Sequence, residues 1–476
     1  MIRQRLRRRR LLAFALILPL AGCLVGPDYH RPTAVVSPSY KELAGWKIGT
    51  PEDTIDRGAW WSVYHDPTLD ALETQVAISN QTLKESEAAY RQARALTDAA
   101  RANLLPTLGI DASATRARSA VGSGASNRDQ FSMEGQASWD LDVWGKIRRT
   151  VESDVAGAQA SAADLAAARL SAQGLLAVDY FDLRGADALQ DLLDRTVQEY
   201  QRSLEITQNQ YAAGTAAKSA VITALTQLQS TQASAINVGV QRAQLEHAIA
   251  VLTGKAPADV TIPHGTLPAV VPILPPSLPS TLLERRPDIA GAERRMQAQN
   301  ALIGVAVAAY YPDISLSAVF GYSGSQLGSL FTAPNRVWSL GAAASETIFD
   351  AGARSADVRA AEAAYDESVA TYRQTVLTAL QGVEDELSTL RILEQQAQVQ
   401  AEAVDSSRQA VAISLNEYRA GTVDYTTVAT AQATELGDEQ TALSIQQQRL
   451  VASATLIEDL GGGWSAAELA DAGAGR

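Results

Sequence analysis

The chain has a single cysteine, Cys23, among 476 residues. No intramolecular disulfide can form, and a lone thiol without a surrounding Cys/His cluster cannot build a structural zinc site. Histidine is almost as scarce. His30, His65, His247 and His264 are the only four, and no two stand at metal-ligand spacing. No HExxH, Walker or GxSxG pattern occurs. The residues therefore offer no metal site, no cofactor site and no catalytic constellation, and an enzyme is the class they support least. Positive charge is in short supply: 40 Lys and Arg face 53 Asp and Glu, a net charge of −13. Affinity for phosphate backbones comes from Lys and Arg, so no nucleic-acid partner is expected. The apolar run from Leu11 to Leu18 is too short to cross a bilayer as a helix, which needs about 20 residues. The glycine run Gly461 to Gly463 has no preceding strand to make a phosphate loop and reads as a helix stop.

What is present begins with the place of that cysteine. Arg3, Arg5, Arg7, Arg8, Arg9 and Arg10 precede the apolar run, and Pro19, Leu20, Ala21 and Gly22 lead into Cys23. A basic segment, a short apolar core and small residues before a cut site form the pattern of a secretory signal, here 1–22. Leu20-Ala21-Gly22-Cys23 resembles the lipobox of bacterial lipoproteins. That resemblance implies cleavage before Cys23 and a covalent lipid on it, palmitate among the acyl groups. Several chains on one residue anchor stably, because each buried methylene adds about 0.8 kcal/mol. Leu24, where an Asp would favour inner-membrane retention, suits the outer membrane. Cleavage removes six of the 40 basic residues, leaving 34 against 53 acids and a net charge of −19.

The rest of the chain is written twice. "YAAGT" at 211–215 matches "YRAGT" at 418–422, an offset of 207. At that offset Asn209 matches Asn416, Gln241 matches Gln448, Gly145 matches Gly352 and Gly254 matches Gly461. "LLPTL" at 104–108 matches "YYPDI" at 310–314. A near-constant offset over this length, 207 and for the last match 206, marks a duplicated unit. The expected organisation is an N-terminal anchor and equatorial segment at 23–66, a first repeat at 67–265 and a proline-rich connector at 266–280. A second repeat at 281–463 and a tail at 464–476 follow. Each repeat reads as a helix (about 67–104 and 281–310), two strands, and two long helices joined at the Tyr-x-Ala-Gly-Thr turn. Pro67 and Pro287 suit a first helical turn.

The strand segments alternate. In 131–143, Phe131, Met133, Gly135, Ala137, Trp139, Leu141 and Val143 share one face, and Glu134, Asp140 and Asp142 lie on the other. Similar alternation runs through 107–115, 313–323 and 338–345, within strands expected at about 107–118, 313–323 and 337–348. Strands of this length cross a bilayer when tilted, and the acidic face suits a wet lumen. The helical segments carry a different period. From 353 to 419 there is no proline, and steps of seven give Val369, Val376, Val383, Leu390, Ala397, Val404, Val411 and Tyr418. That is a long helix with a packed seam, about 100 Å at about 1.5 Å per residue. The matching helix, about 146–213, has Leu176, Leu183, Val197, Leu204 and Tyr211 on the same step, interrupted by Arg169 and Gln190.

Four strands cannot close a barrel, and open sheet edges do not survive in lipid. If these strands cross a membrane, the chain must assemble. Two copies give eight strands and a filled lumen, and three give twelve and an open channel.

"CLVGPDYHRP" (23–32), "WDLDVWGK" (139–146), "LLERRPDIAGAERR" (282–295), "AAYYPDISLSA" (308–318), "TIFDAGARSADVRAA" (347–361) and "LGGGW" (460–464) resemble TolC-like outer-membrane factors of the NodT or OprM type. The resemblance implies a mainly helical chain with membrane strands. It implies a homotrimer whose 12-strand outer-membrane β-barrel continues into a 12-helix periplasmic α-barrel. It further implies a passive duct for small molecules such as drugs, with no catalytic activity, docked to a periplasmic membrane-fusion adaptor and an inner-membrane pump of RND or MFS type. The hairpin turns at Gly214, Thr215, Gly421 and Thr422 are then the docking tips.

Many relatives narrow near the second turn at a Tyr-Leu-x-x-Leu-Asp-Ala-Gln stretch. Here the stretch is "DYTTVATAQ" (424–432), with Thr426 and Thr430 in place of the Leu and the Asp. Ala220 stands where the first turn often carries an Asp. An acidic ring is therefore not carried over. Thr426 and Thr430 are the candidate constriction. Asp424 is either a carboxylate that threefold symmetry would triple or the cap of the helix after it. Two alternatives stay open: a duct for protein secretion, and a coiled-coil periplasmic lipoprotein or adaptor that forms no pore.

Overall fold

The computed structural model describes residues 24–34, 36–43, 59–121, 124–272, 285–462 and 464. The signal segment, Cys23, most of the proline-rich connector and the tail after Trp464 lie outside them.

The elements run α1 (Pro67–Ser79), α2 (Gln81–Ala102), β1 (Thr107–Val121), β2 (Gly124–Leu141), α3 (Lys146–Ala212), α4 (Lys218–Leu252), α5 (Pro287–Ala308), β3 (Asp313–Gly324), β4 (Arg336–Ser345), α6 (Ala353–Arg419) and α7 (Tyr425–Asp459). The offset of 207 carries both ends of α3 onto α6 and both ends of α4 onto α7. Glycines with left-handed backbone recur at the same joints: Gly145 and Gly352 before the long helices, Gly214 and Gly421 at the turns, Gly254 and Gly461 at the returns. Only glycine reaches those φ values without a Cβ penalty, so the duplication is fixed most firmly where the chain bends.

Three expectations need correction. The helix over 67–104 is two helices. Asn80 breaks it, its side chain accepting from Leu83 N at 3.1 Å and donating to the Leu252 carbonyl at 2.8 Å. Asn prefers this cap role to a helix interior, and here it also ties the break to the end of α4. The stretch between the expected strands 107–118 and 131–143, which those bounds leave as a connection, is strand almost throughout. The ladder runs from Thr107↔Ser138 to Val121↔Gly124, because backbone pairing does not require apolar side chains. Asp142 and Val143 lie beyond β2, which ends at Leu141. The Asp142 carboxylate is not on a wet strand face. It accepts from Ile147 N and Arg148 N at 2.8 and 2.9 Å and caps α3, whose own N-cap, Gly145, has no side chain. Asp350 does the same for α6, accepting from Gly352 N and Arg354 N. The hydrogen bond from Arg354, helped by these two amides, holds Asp350 down at about 2.

The helices stand in the order α4, α3, α7, α6, with α2 laid on α3 and α5 laid on α3 and α6. All eight members of the seam from Val369 to Tyr418 are buried or half-buried. Val376, Val383, Leu387 and Leu390 pack with Ile289 and Met296 of α5 and with Tyr40 of the N-terminal segment. Trp60, Trp61 and Tyr64 pack on Tyr180 and Phe181 of α3 and on Leu450 and Ala454 of α7. Aromatic burial of this size binds the N-terminal segment to the middle of the helical layer.

Candidate functional site

The four strands form one antiparallel sheet in the order β1-β2-β3-β4. Its registers line up the alternating faces. Leu108, Ala137, Ala318 and Leu340 make one row, Ile110, Gly135, Phe320 and Trp338 the next, and Ala112, Met133 and Tyr322 the next. The opposite face carries Thr107, Ser138 and Ser317, then Gln136 and Ser339, then Asp111 beside Glu134. One face of the whole sheet is apolar and the other largely polar, interrupted by Val319 and Val337. The apolar face is open: Leu108 is 82% exposed, Leu340 77% and Trp338 70%. Along β2 the apolar rows run from Leu141 to Phe131. That is about 34 Å of strand at about 3.4 Å per residue. At a tilt of about 45° it makes a band about 24 Å tall, close to the roughly 25 Å of outer-membrane barrels.

Aromatics stand at both margins of the band. At the helix-side margin Trp139 donates to the Leu104 carbonyl at 3.0 Å, Trp144 donates to the Pro312 carbonyl at 2.9 Å, and Trp144 stacks on Tyr311 at 4.8 Å. At the far margin Tyr322 meets Phe331 edge-on at 5.5 Å. Paired girdles of this kind mark the two water interfaces of a membrane span. Among the described residues no helix is long and apolar enough to cross a membrane. The sheet is the only candidate span there.

Both layers end in unpaired flanks. β1 and β4 expose their outer edges. In the helical layer α4 and α6 are the outermost members, and each carries exposed apolar side chains: Ile222, Ile236, Val240 and Val251 on α4, Leu377, Ile392, Val399 and Ile413 on α6.

The two helical turns lie side by side at the opposite end from the sheet. Gly214 and Gly421 supply the left-handed residue, with open space where a Cβ would stand. The Thr215 and Thr422 hydroxyls donate to the Gln210 and Glu417 carbonyls at 3.0 and 2.9 Å, closing each helix end. Tyr418 and Tyr425 meet edge-on at 5.4 Å over Val428 and Ala224. Asp424 occupies the N-cap position of α7, yet its side chain makes no capping bond. The cap reading of Asp424 is thus not realised, and the carboxylate is exposed. Thr426 and Thr430 are exposed one helical turn apart, and the Thr430 hydroxyl donates to the Thr426 carbonyl at 2.8 Å. Ala220 is half-buried in the tip core.

Cys23 is outside the described residues, but its successors are held. Val25 N donates to the Trp144 carbonyl at 3.2 Å. Arg149, whose side chain is 1% exposed, donates to the Val25 and Gly26 carbonyls and pairs with Asp28 at 2.9 Å. Sequence reading missed Arg149, because one Arg among several in a long helix looks like solvated surface. It also missed the Asp142 and Asp350 caps. The Asp two or three residues before each helix-opening glycine was their signal, hidden by the strand alternation. Glu73 was missed too. It is fully buried, its carboxylate has no partner, and burial pushes it up to about 9. No cluster suited to a metal ion occurs among the described residues.

A family model described as "Outer membrane efflux protein" matches residues 72–255 and 278–462, one segment for each repeat. The chain is 30% identical over 459 residues to the outer membrane protein OprJ of Pseudomonas aeruginosa, covering 95% of each. It is 30% identical over 461 residues to the cation efflux system protein CusC of Escherichia coli O6:H1, covering 96% of this chain and 99% of the relative. Among solved structures, the outer-membrane channel OprN superposes with a TM-score of 0.88 at 30% identity, over 93% of this chain and 100% of that one. The open state of the MtrE outer membrane channel of Neisseria gonorrhoeae gives 0.81 at 27% identity, over 93% and 98%.

Proposed function

The chain belongs to the outer membrane efflux protein family, and from that premise we propose that it is the outer-membrane exit duct of a tripartite efflux assembly. Three copies join β4 to β1 and α6 to α4 around one axis. They close a 12-strand barrel in the membrane and a 12-helix barrel in the periplasm. The observation that carries this is the coincidence of open flanks. The sheet and the helical layer of one chain each end in unpaired apolar edges, so one head-to-tail operation satisfies both. Lipid tolerates no unpaired strand edge, and three four-stranded sheets leave an open lumen. The polar face with Asp111 and Glu134 then lines water, and small solutes pass without chemistry, driven by the pump.

The finer roles rest on the same frame. A lipid on Cys23 is supported by the clamp on residues 24–28, which holds that end of the chain beside Trp144 at the helix-side aromatic girdle. The turns around Gly214, Thr215, Gly421 and Thr422 dock a periplasmic adaptor and through it an RND or MFS pump. Thr426 and Thr430 line the constriction, and Asp424 adds a carboxylate at its mouth. Conductance of Thr426→Ala and Thr430→Ala channels in planar bilayers should rise, and unchanged conductance and cation selectivity would remove the threonines from the constriction.

The native mass of the protein, extracted in mild detergent from separated outer membranes, tests the main reading. Three chain masses in the outer-membrane fraction support it. A soluble monomer, or a dimer in the inner membrane, overturns it.

A further inference from the structure

Above the apolar band the outward face of the sheet changes character abruptly. The row of Ala114 and Phe131 is followed by Arg116 opposite Asp129 and then by Arg118 opposite Asn127. Arg336 opens β4 at the same end, in the row of Ala112, Met133 and Tyr322. By strand alternation all three arginines lie on the apolar face, not on the polar face of Asp111 and Glu134. They are exposed. Arg116 pairs with Asp129 at 3.3 Å, while Arg118 and Arg336 have no acidic partner among the described residues. The outward rim of each chain thus carries three guanidinium groups against one carboxylate, in a protein whose net charge is −13. A charged group on this face is wasted in hydrocarbon but suits the headgroup layer at the edge of the band.

We propose that Arg116, Arg118 and Arg336 bind the phosphate groups of the lipid headgroups in the outer leaflet. The partner is a phosphorylated glycolipid of the membrane in which the barrel sits, and this rests on the barrel reading above. Three features select that occupant. The end of the sheet remote from the helices faces outward across the membrane. Arg116 directly follows the last apolar row, Ala114 and Phe131, and Arg336 stands one row before it, so all three arginines border the level where headgroups replace tails. Guanidinium forks match phosphate oxygens two at a time, which a lysine ammonium does not. In the trimer the motif repeats three times around the barrel, so the rim forms a basic collar that cross-links neighbouring anionic lipids.

Purified full-length protein in mild detergent would be titrated with diphosphorylated lipid A, with its dephosphorylated form, and with inorganic phosphate. The expected result is at least tenfold tighter binding of the diphosphorylated lipid than of the dephosphorylated one. Millimolar inorganic phosphate should fail to displace it. The Arg116→Gln/Arg118→Gln/Arg336→Gln protein should lose that difference while keeping the native mass of three chains. Arg118→Gln alone, which breaks no ion pair, should lose part of it if the triple variant does not assemble. Equal binding of both lipids by the unaltered protein, or undiminished discrimination by the variants, overturns the proposal. So does displacement by inorganic phosphate, which would make this a free-phosphate site. Failure of the barrel reading shows differently, as unaltered protein that is not trimeric or not in the outer membrane.

Discussion

The two repeats share the glycine bends of their long hairpins and differ in how each hairpin is fastened. In the first, Asp187 is completely buried and accepts from Arg184 at 2.9 Å, from Arg242 at 2.7 Å and from Gly265 N at 3.0 Å. Arg242 also donates to the Ile262 carbonyl and Arg184 to the Pro263 carbonyl. The segment that follows α4 is thus strapped back over its own hairpin. At the offset of 207 the same three positions are Glu394, Arg449 and Arg391. Glu394 and Arg449 still pair across the hairpin, but at the surface, and Arg391 reaches instead to Glu42 of the N-terminal segment at 2.6 Å. The backbone N–H groups of Lys41 and Glu42 close this clasp on the Glu384 carboxylate. The difference shows that duplication preserved what the backbone demands and released what side chains can renegotiate. Glycines at φ near +80° have no substitute, whereas a carboxylate-arginine pair works with either partner segment.

The strongest break of this comparison is at the returns. A Cβ on Gly254 would stand 2.2 Å from the Ser79 carbonyl oxygen, and one on Gly461 would stand 2.2 Å from the Arg285 carbonyl oxygen. Both glycines also have positive φ. Gly254→Ala and Gly461→Ala should each cost about 4 kcal/mol or more in thermal unfolding of the detergent-solubilised protein, since overpacking against backbone adds to left-handed strain. Gly214→Ala, with open space around it, should cost only about 1–2 kcal/mol. Equal effects at the return and the turn would mean that strain alone decides.

Next comes the pair that tells the two hairpins apart. Asp187→Asn leaves two arginines facing an uncharged group in a buried site and should destabilise by about 3 kcal/mol. Glu394→Gln removes a surface partner and should cost no more than about 1 kcal/mol. Comparable losses would show that the second hairpin depends on its pair as much as the first.

Glu73 sits in the first repeat only. Its folded-state proton is held up to about 9 by burial, above the ordinary Glu range. Its contribution is full below the unfolded value near 4.3 and falls as pH rises toward 9, because the unfolded chain releases the proton first. Glu73→Gln should therefore leave the unfolding free energy unchanged at pH 4.5 and raise it at pH 8, by an amount on the order of 5 kcal/mol. A variant less stable at pH 8 would mean that the ionised carboxylate has a partner.

The smallest effect is expected at the tips, where Asp424 of the second turn corresponds at the offset of 207 to Ala217 of the first. Asp424 makes no capping bond, so Asp424→Ala should change stability by less than about 0.5 kcal/mol. It should lower cation selectivity of the open channel. A loss near 1 kcal/mol would restore the cap reading.

Much of the fold was legible because its signals are local. The heptad from Val369 to Tyr418 and the alternation in 131–141 each report the period of one element. The offset of 207 follows from the chain being compared with itself. Local period also misled. Asp142 continues the alternation of β2 but serves a helix end, and the alternation alone does not separate the two roles. Asn80 was invisible as a break because the flanking residues continue a helical pattern on both sides. At the second turn, the exposed places of Thr426, Thr430 and Asp424 followed from the turn motif, but the absence of a cap bond at Asp424 did not.

By itself the sequence determined the duplication, the elements, the polar and apolar faces of each strand and the position of the bends. All of these follow from side-chain order along a single segment. Only the tertiary structure decided which faces align and which flanks stay open. It alone decided which carboxylates are spent, Asp142 on a cap and Asp187 on two arginines, and that Glu73 is left without a partner. The physical reason is that hydrogen bonds and ion pairs are made across space. Asp66 and Tyr180 meet at 2.5 Å although 114 residues apart, and no pattern along the chain encodes that distance.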